Sequence, residues 1–529
     1  MSPPPVSPRK RLYLLHRWIG LVVGSLGALV LFSGTLAIFA AELREWSVRE
    51  PLRPPAIDAP GFDLDRIHRS VVEDLDPPLH HHVDFVQDAG GLLQVTALNP
   101  ETGTGVAVDF DPATLETIER HEGPASEFHP ADPRDALVDF VIDLHVFLSI
   151  PGALGLLTTG MVGLGLLISL VSGFVAHSPT WAKMKRAPRT RRSRLWFGDW
   201  HTLVGTWTLP FALVLATTGA FFSMSSIVLR PAISMSAFHG DPNALVQALI
   251  ATPVPPPGPG QASLDPMLRD ALSRNERAQL RRVQLRDWGT PEARATLTLE
   301  TEHWTGDTRH VLTYDGHEGQ ILRDHPYLGS TPSFGGRVLH LVDELHFGTL
   351  LGLPTKLLWF LSGLALCGVA SAGLLVFVSR QRDPSALVTR VMRGLAVATS
   401  VGLPVAVVLG TAGWALACTT GAWPPATAVR VGFFAGLAFM GVVGIRWALR
   451  PALLGATIAS GIALCTMPLW ALLANGGPSA VMRAETGTML VDVAWWIAGL
   501  GMVACAGRAM ARRRARAATH RGPRPASST

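Results

Sequence analysis

Eight apolar runs, each long enough to cross a lipid bilayer, dominate the chain. They lie near residues 18–40, 146–176, 202–224, 348–379, 391–417, 428–446, 452–474 and 488–507. An α-helix needs about 20 mostly apolar residues to span a hydrocarbon core of roughly 30 Å. Lipid offers no partner for backbone N–H and C=O groups, so such runs cross as helices. Long polar segments separate the first four runs, and the mean hydropathy is only +0.29. The expected fold class is therefore an α-helical integral membrane protein with about eight transmembrane helices and sizeable domains outside the bilayer.

The net charge of +5 reports topology, with no nucleic acid among the expected partners. Arg9, Lys10 and Arg11 precede the first run, and Arg512, Arg513, Arg514 and Arg516 follow the last. Between them, Lys183, Lys185, Arg186, Arg189, Arg191, Arg192 and Arg194 crowd one short loop. Short basic loops beside a span stay cytoplasmic. The path that follows has a basic cytoplasmic N-terminus (1–17), a first span (18–40) and an outer segment (41–140). A second span (141–177), a basic cytoplasmic loop (178–200), a third span (201–224), a second outer segment (225–340) and a fourth span (341–380) complete the first part. A C-terminal four-helix membrane region (388–510) and a basic cytoplasmic tail (511–529) finish the chain, with both termini inside. Arg390, Arg393, Arg446 and Arg450 suit this path, and Arg430 is an exception. The four cysteines all fall in apolar stretches, so no disulfide framework is implied.

Each outer segment opens with an amphipathic stretch, FDLDRIHRSVVEDL from Phe62 and LDPMLRDALSRNERAQL from Leu264. Alternating runs follow, LLQVTAL and GVAVDFD in the first and ATLTLE and RHVLTYD in the second. Two α+β domains are expected, one between helices 1 and 2, the other between helices 3 and 4. The spans repeat more sharply. Setting His16 on His201 puts Gly20 on Gly205, Gly27 on Ala212 and Gly34 on Gly219, a stripe of small residues along nearly one helix face. DLH at Asp143–His145 corresponds to ELH at Glu344–His346. The unit of helix, outer domain and helix occurs twice, in parallel, about an axis along the membrane normal.

That symmetry predicts His16 and His201 at one depth near the inner face, and His145 and His346 at one depth near the outer face. Two histidines facing each other suit the axial positions of a haem iron, and small residues beside them let a flat porphyrin approach the backbone. Two pairs predict two haems, one per leaflet. A lone histidine at a helix end is ordinarily interfacial and a small-residue stripe ordinarily packs helices; here the repeated pairing makes the four a set. His177, where the fourth helix has Arg380, is a substitute ligand for the inner site. His340 reads as a supporting or structural residue. His80, His81 and His82 offer a possible metal site outside the membrane, although consecutive residues rarely converge on one ion.

LHRWIGL, the stretch DWHTLVG to TTGAF, the two acidic-Leu-His openings and the paired outer segments resemble the PepSY-associated transmembrane family. The resemblance covers about residues 10–382. That family includes iron-regulated inner-membrane proteins and haem-containing ferric-siderophore reductases. Membership implies that His16, His145, His201 and His346 bind haem b and that PepSY-like domains face the periplasm of a bacterial inner membrane. The added region 388–510 contains no histidine and supplies no further bis-histidine site. The implied activity is a transmembrane haem-dependent oxidoreductase of the ferric reductase type. Electrons would come from a quinol or a separate reductase and pass to a periplasmic ferric siderophore or other ferric chelate. Two other classes fit the same architecture: a membrane anchor whose outer domains bind or regulate a periplasmic protein, and a permease-like component of iron uptake. The visible spectrum separates them.

Overall fold

The computed structural model describes residues 7–49, 62–73, 75–87, 93–111, 114, 116–128, 132–177, 193–258, 261–274, 278–301, 308–482 and 486–520. Most of the expected basic loop and the end of the basic tail lie outside the described residues. Along the chain come α1 (Pro8–Ala37), α2 (Ala40–Val48), α3 (Leu64–Val72), β1 (Val83–Gln87), β2 (Leu93–Asn99), β3 (Thr104–Phe110) and β4 (Thr117–Pro124). There follow α4 (Ala136–Phe147), α5 (Gly152–His177), α6 (Ser193–Trp207) and α7 (Leu209–Met224), then a π-helical turn at Ser225–Leu229. The second half continues with α8 (Arg230–Ala237), α9 (Pro242–Ile250), α10 (Leu264–Ser273), β5 (Ala278–Arg286), β6 (Arg294–Thr301), β7 (Thr308–Asp315), β8 (Ile321–Asp324), α11 (Phe334–Phe347) and α12 (Leu353–Ser379). The C-terminal region includes α13 (Leu387–Ala398), α14 (Leu403–Thr420), α15 (Pro425–Arg446), α16 (Leu449–Cys465), α17 (Met467–Ala474) and α18 (Thr486–His520).

Among the described residues, eight helical stretches have the length and hydropathy of membrane spans. The protein is a multi-pass membrane protein. It divides into two compact units: Met1–Arg49, Asp132–Ser223 and Phe360–Thr529 form one, and Glu50–Ala131 and Met224–Trp359 the other.

In the membrane unit, prolines cut several expected spans. Pro210, Pro404 and Pro468 each take the second position of a new helix. Proline lacks an N–H and its ring strikes the carbonyl four residues back, so the preceding helix stops and a new one starts. Ahead of Pro151 the chain turns through Leu148 and Ser149, whose φ values are 52° and 56°. His145 therefore sits on the short helix α4, separated by a turn from the span α5, where a continuous helix over 141–177 was expected.

The C-terminal helices brace that short helix. Phe140 of α4 packs edge-on against Phe433 at 5.1 Å, and Arg430 reaches Asp143 at 3.4 Å. Trp414, fully buried, donates from Nε1 to the Pro133 carbonyl at 3.3 Å. Asn475 donates to the Ser47 carbonyl at the end of α2, and Asp492 of α18 accepts from Arg49 and Trp46. Side chains such as Val22, Leu154 and Ile497 stay exposed, as lipid-facing residues do.

The second unit holds one antiparallel sheet of eight strands in the order β4-β3-β2-β1-β5-β6-β7-β8. Each outer segment supplies a four-stranded meander, as the alternating runs predict, but the two halves do not form two separate sheets. Their first strands pair, with Asp84 opposite Gln284 and Phe85 opposite Val283. The reason is physical: left apart, each meander would present an unpaired edge strand. Asp84 is clamped at this seam by Arg286 at 2.5 Å and Arg282 at 2.6 Å. The helices α3 and α10 bury Leu64, Ile67, Leu264 and Met267 in one core with Phe85, Val95, Val283 and Leu297 from the strands. Asp63 starts α3 by accepting from the Arg66 N–H.

Candidate functional site

The membrane unit brings two of the predicted ligands together. His16 on α1 and His201 on α6 face each other with ring centroids 6.0 Å apart and planes inclined by 55°. Each ring is held by the helix that packs beside it. His16 Nδ1 lies 2.9 Å from the Ser169 carbonyl oxygen of α5. His201 Nδ1 lies 2.8 Å from the Val369 carbonyl oxygen of α12. A carbonyl only accepts, so each Nδ1 carries a proton, which in the neutral ring leaves the lone pair on Nε2.

Each ring also rests on a glycine one helical turn beyond that carbonyl. A Cβ added at Gly173 would stand 2.8 Å from His16 Cε1 and Nδ1. One added at Gly373 would stand 3.1 Å from His201 Cε1. Any larger residue would push the imidazole away. Ser169 and Val369, like Gly173 and Gly373, are 200 residues apart, so both seats belong to the internal repeat.

His145 repeats the arrangement in the opposite sense. Its Nδ1 donates to the Val30 carbonyl of α1 at 2.9 Å, and its ring lies on Gly34, where a Cβ would fall 2.6 Å from Cε1. Carbonyl at one position and glycine four later is thus a seat that recurs three times among the described residues. Sequence reasoning missed Gly173 and Gly373 as partners of histidines; glycines in the second member of each helix pair were the available signal. It also misassigned the small stripe on α1. A Cβ at Gly20 would face Ser169 and one at Gly27 would face Leu166, both on α5. The stripe lets α5 approach closely and ends in the seat for His145, so it does not lie open beside His16 as a surface for a porphyrin.

The remaining predicted residues fall elsewhere. His346 lies in the last turn of α11, in the second unit. Its helix begins at the Ser333 cap and ends before Gly348, five residues short of α12. His177 is the last residue of α5. His340 pairs with Glu344 at 3.4 Å, one turn along α11. The three consecutive histidines take separate partners: His80 bonds the Leu75 carbonyl, His81 the Trp288 carbonyl, and His82 stands 3.9 Å from Asp287.

Residues 13–380 match the family described as the PepSY-associated TM region. The matched span runs from α1 to the end of α12, takes in all three glycine seats, and leaves out the C-terminal helices. The chain is also 26% identical over 385 residues to the uncharacterized protein PA4219 of Pseudomonas aeruginosa, covering 68% of this chain and 94% of that protein. With most of its length accounted for in this way, the chain belongs to the PepSY-associated TM family.

Proposed function

We propose that this protein is a haem b protein of a bacterial inner membrane that passes electrons outward to a periplasmic ferric chelate. The observation that carries the reading is the His16–His201 pair, with each ring fixed by a backbone carbonyl and seated on a glycine. Metal–imidazole bonds of about 2.0 Å on both sides of one iron put the ring centroids roughly 6 Å apart, in keeping with the 6.0 Å spacing. The donor set fits as well: two neutral imidazoles with the proton on Nδ1 leave Nε2 to ligate.

In this reading His16 and His201 hold an inner haem, His145 and His346 an outer one, and both termini are cytoplasmic. His177 is a substitute inner ligand. The family resemblance supports PepSY-like outer domains on the periplasmic side. Bound haem supplies a one-electron iron couple. The protein's own residues do the rest. The Ser169, Val369 and Val30 carbonyls orient the imidazoles, and the glycines let the rings lie against the neighbouring helices. A quinol or a separate reductase delivers the electrons. Ferric iron is the substrate, and its reduction weakens its hold on hard oxygen ligands.

The test is the reduced-minus-oxidised visible spectrum of purified protein, with haem counted per chain. Two haems with b-type bands support the reading. A colourless, folded preparation overturns it in favour of a membrane-anchored binding protein.

A further inference from the structure

At the end of β8, three buried nitrogens have no hydrogen-bond partner among the described residues: Nε of Arg323, in the strand, and both ring nitrogens of His325, just past it. His325 is 9% exposed. The strand ends at Asp324 and the chain bends from Pro326 onward, which brings Tyr327 back beside Arg323 and His325. Arg323 Nη2 donates to the Tyr327 carbonyl. The Tyr327 ring stacks on His325 at 5.9 Å with planes 27° apart, and its other neighbour is the His340 ring at 5.5 Å. His340 in turn pairs with Glu344.

Buried polar groups in native proteins are nearly always satisfied, and three unsatisfied nitrogens on two residues with one between them, where the other unsatisfied atoms occur one to a residue, point to something that satisfies them together. At least two of these three atoms are donors. A guanidinium Nε only donates, and an imidazole always has at least one N–H. Burial lowers the Arg323 pKa with no compensating carboxylate. The adjacent Asp324 is turned to His310 at 2.8 Å and Arg274 at 3.0 Å. Glu344 is engaged by His340. The cluster is therefore a donor-rich, uncompensated cation, with half-buried Tyr327 and His340 forming its rim.

We propose that Arg323 and His325 bind an oxygen-rich anion, a carboxylate or comparable oxyanion, with Tyr327 and His340 as its walls. Its further identification as the docking place of the anionic ferric chelate rests on the function proposed above, because the rim residue His340 shares α11 with His346.

The experiment uses the full-length protein in lipid nanodiscs and measures binding of gallium(III) citrate, a redox-inert stand-in for the ferric complex, and of citrate alone. Binding should weaken at least tenfold in Arg323→Gln and in His325→Phe, with haem content unchanged. Should His325→Phe fail to fold, His325→Asn, which keeps a polar group but changes its reach, takes its place. No binding by the wild type, or equal affinity in folded Arg323→Gln and His325→Asn, overturns the site and means that only water satisfies these nitrogens. Site-dependent binding by a protein that carries no haem keeps the anion site and overturns the reductase reading. Haem-loaded protein with site-independent binding does the reverse.

Discussion

Asp65 and Asp265 cap each other's helices. The Asp65 carboxylate accepts from the Leu264 and Asp265 N–H groups at 2.9 and 3.2 Å and from the Ser263 hydroxyl. Asp265 accepts from the Leu64 and Asp65 N–H groups at 2.9 and 3.5 Å. Two carboxylates thus satisfy the first turns of α3 and α10 reciprocally, where orphan N–H groups and the helix dipole favour negative charge. Replacing Asp65 by Ala should destabilise the protein by about 1 kcal/mol, as loss of a cap does. Thermal unfolding checks this.

The same pair predicts a pH dependence of stability. Burial and the neighbouring Asp65 and Asp63 push Asp265 up from 3.8 to about 6. A raised acid stabilises the fold when protonated, so this contribution is complete below its ordinary value and is lost as pH climbs through the raised one. Burial works against ionised Asp65 too, but hydrogen bonds from Leu264, Ser263 and Asp265 outweigh it and hold that carboxyl low. Its contribution is lost as pH falls through that lowered value. Asp265→Asn should therefore flatten the stability profile between about pH 4 and 6, and Asp65→Asn, which removes only the neighbour's share of the rise and leaves the burial of Asp265 in place, should flatten it less. Unfolding midpoints measured across that range decide between them.

The histidine pairs predict grouped phenotypes. His16→Ala, His201→Ala and the double variant should each lose the same one of two haems, because one missing ligand already breaks the site. His145→Ala and His346→Ala should form a second group. Haem stoichiometry and redox titration of each variant test the grouping, which fails if two members of one pair remove different haems.

The glycine seats predict a graded series. The Cβ of Gly34→Ala would stand closest to its histidine, that of Gly173→Ala next, and that of Gly373→Ala farthest, at 2.6, 2.8 and 3.1 Å. Loss of haem, or the shift in its potential, should follow that order. Gly20→Ala, with 3.9 Å to Ser169 Oγ, should change neither.

The brace on the first repeat predicts a large stability effect. Arg49 is 2% exposed and donates to Asp492 at 2.6 Å, and Trp46 donates to the same oxygen at 2.7 Å. Asp492→Ala leaves the guanidinium buried and unpaired, which costs about 3–5 kcal/mol. Thermal unfolding in detergent should show it, and Arg49→Met combined with Asp492→Leu should recover much of the loss.

Spans, repeats and histidines were legible in the sequence because periodicity and residue type determine them directly. The turn at Leu148–Ser149 was not, because an apolar run continues through it and only Pro151 marks the break. Gly173 and Gly373 were invisible as seats because glycine in a membrane helix ordinarily reports close packing, and which neighbour approaches is a tertiary fact. The single sheet was hidden for a similar reason: β1 and β5 are nearly two hundred residues apart, and strand partners at that distance leave no local pattern. Arg323 and His325 look like ordinary polar residues at the end of a strand until their burial is known.

The seam between β1 and β5 also bears on ancestry. Asp84 lies opposite Gln284, 200 residues on, and the caps link Asp65 to Asp265 by the same interval. A residue that meets its own counterpart lies on a twofold axis, the signature of a self-complementary homodimer interface. A half-length forerunner with two spans and one meander would have paired with a second copy through this edge. Duplication and fusion of such a forerunner would make that partner permanent and release each copy from having to match itself. Ser70 and its counterpart Asp270, now tied to Tyr314 and Arg274, record how far the copies have since moved apart.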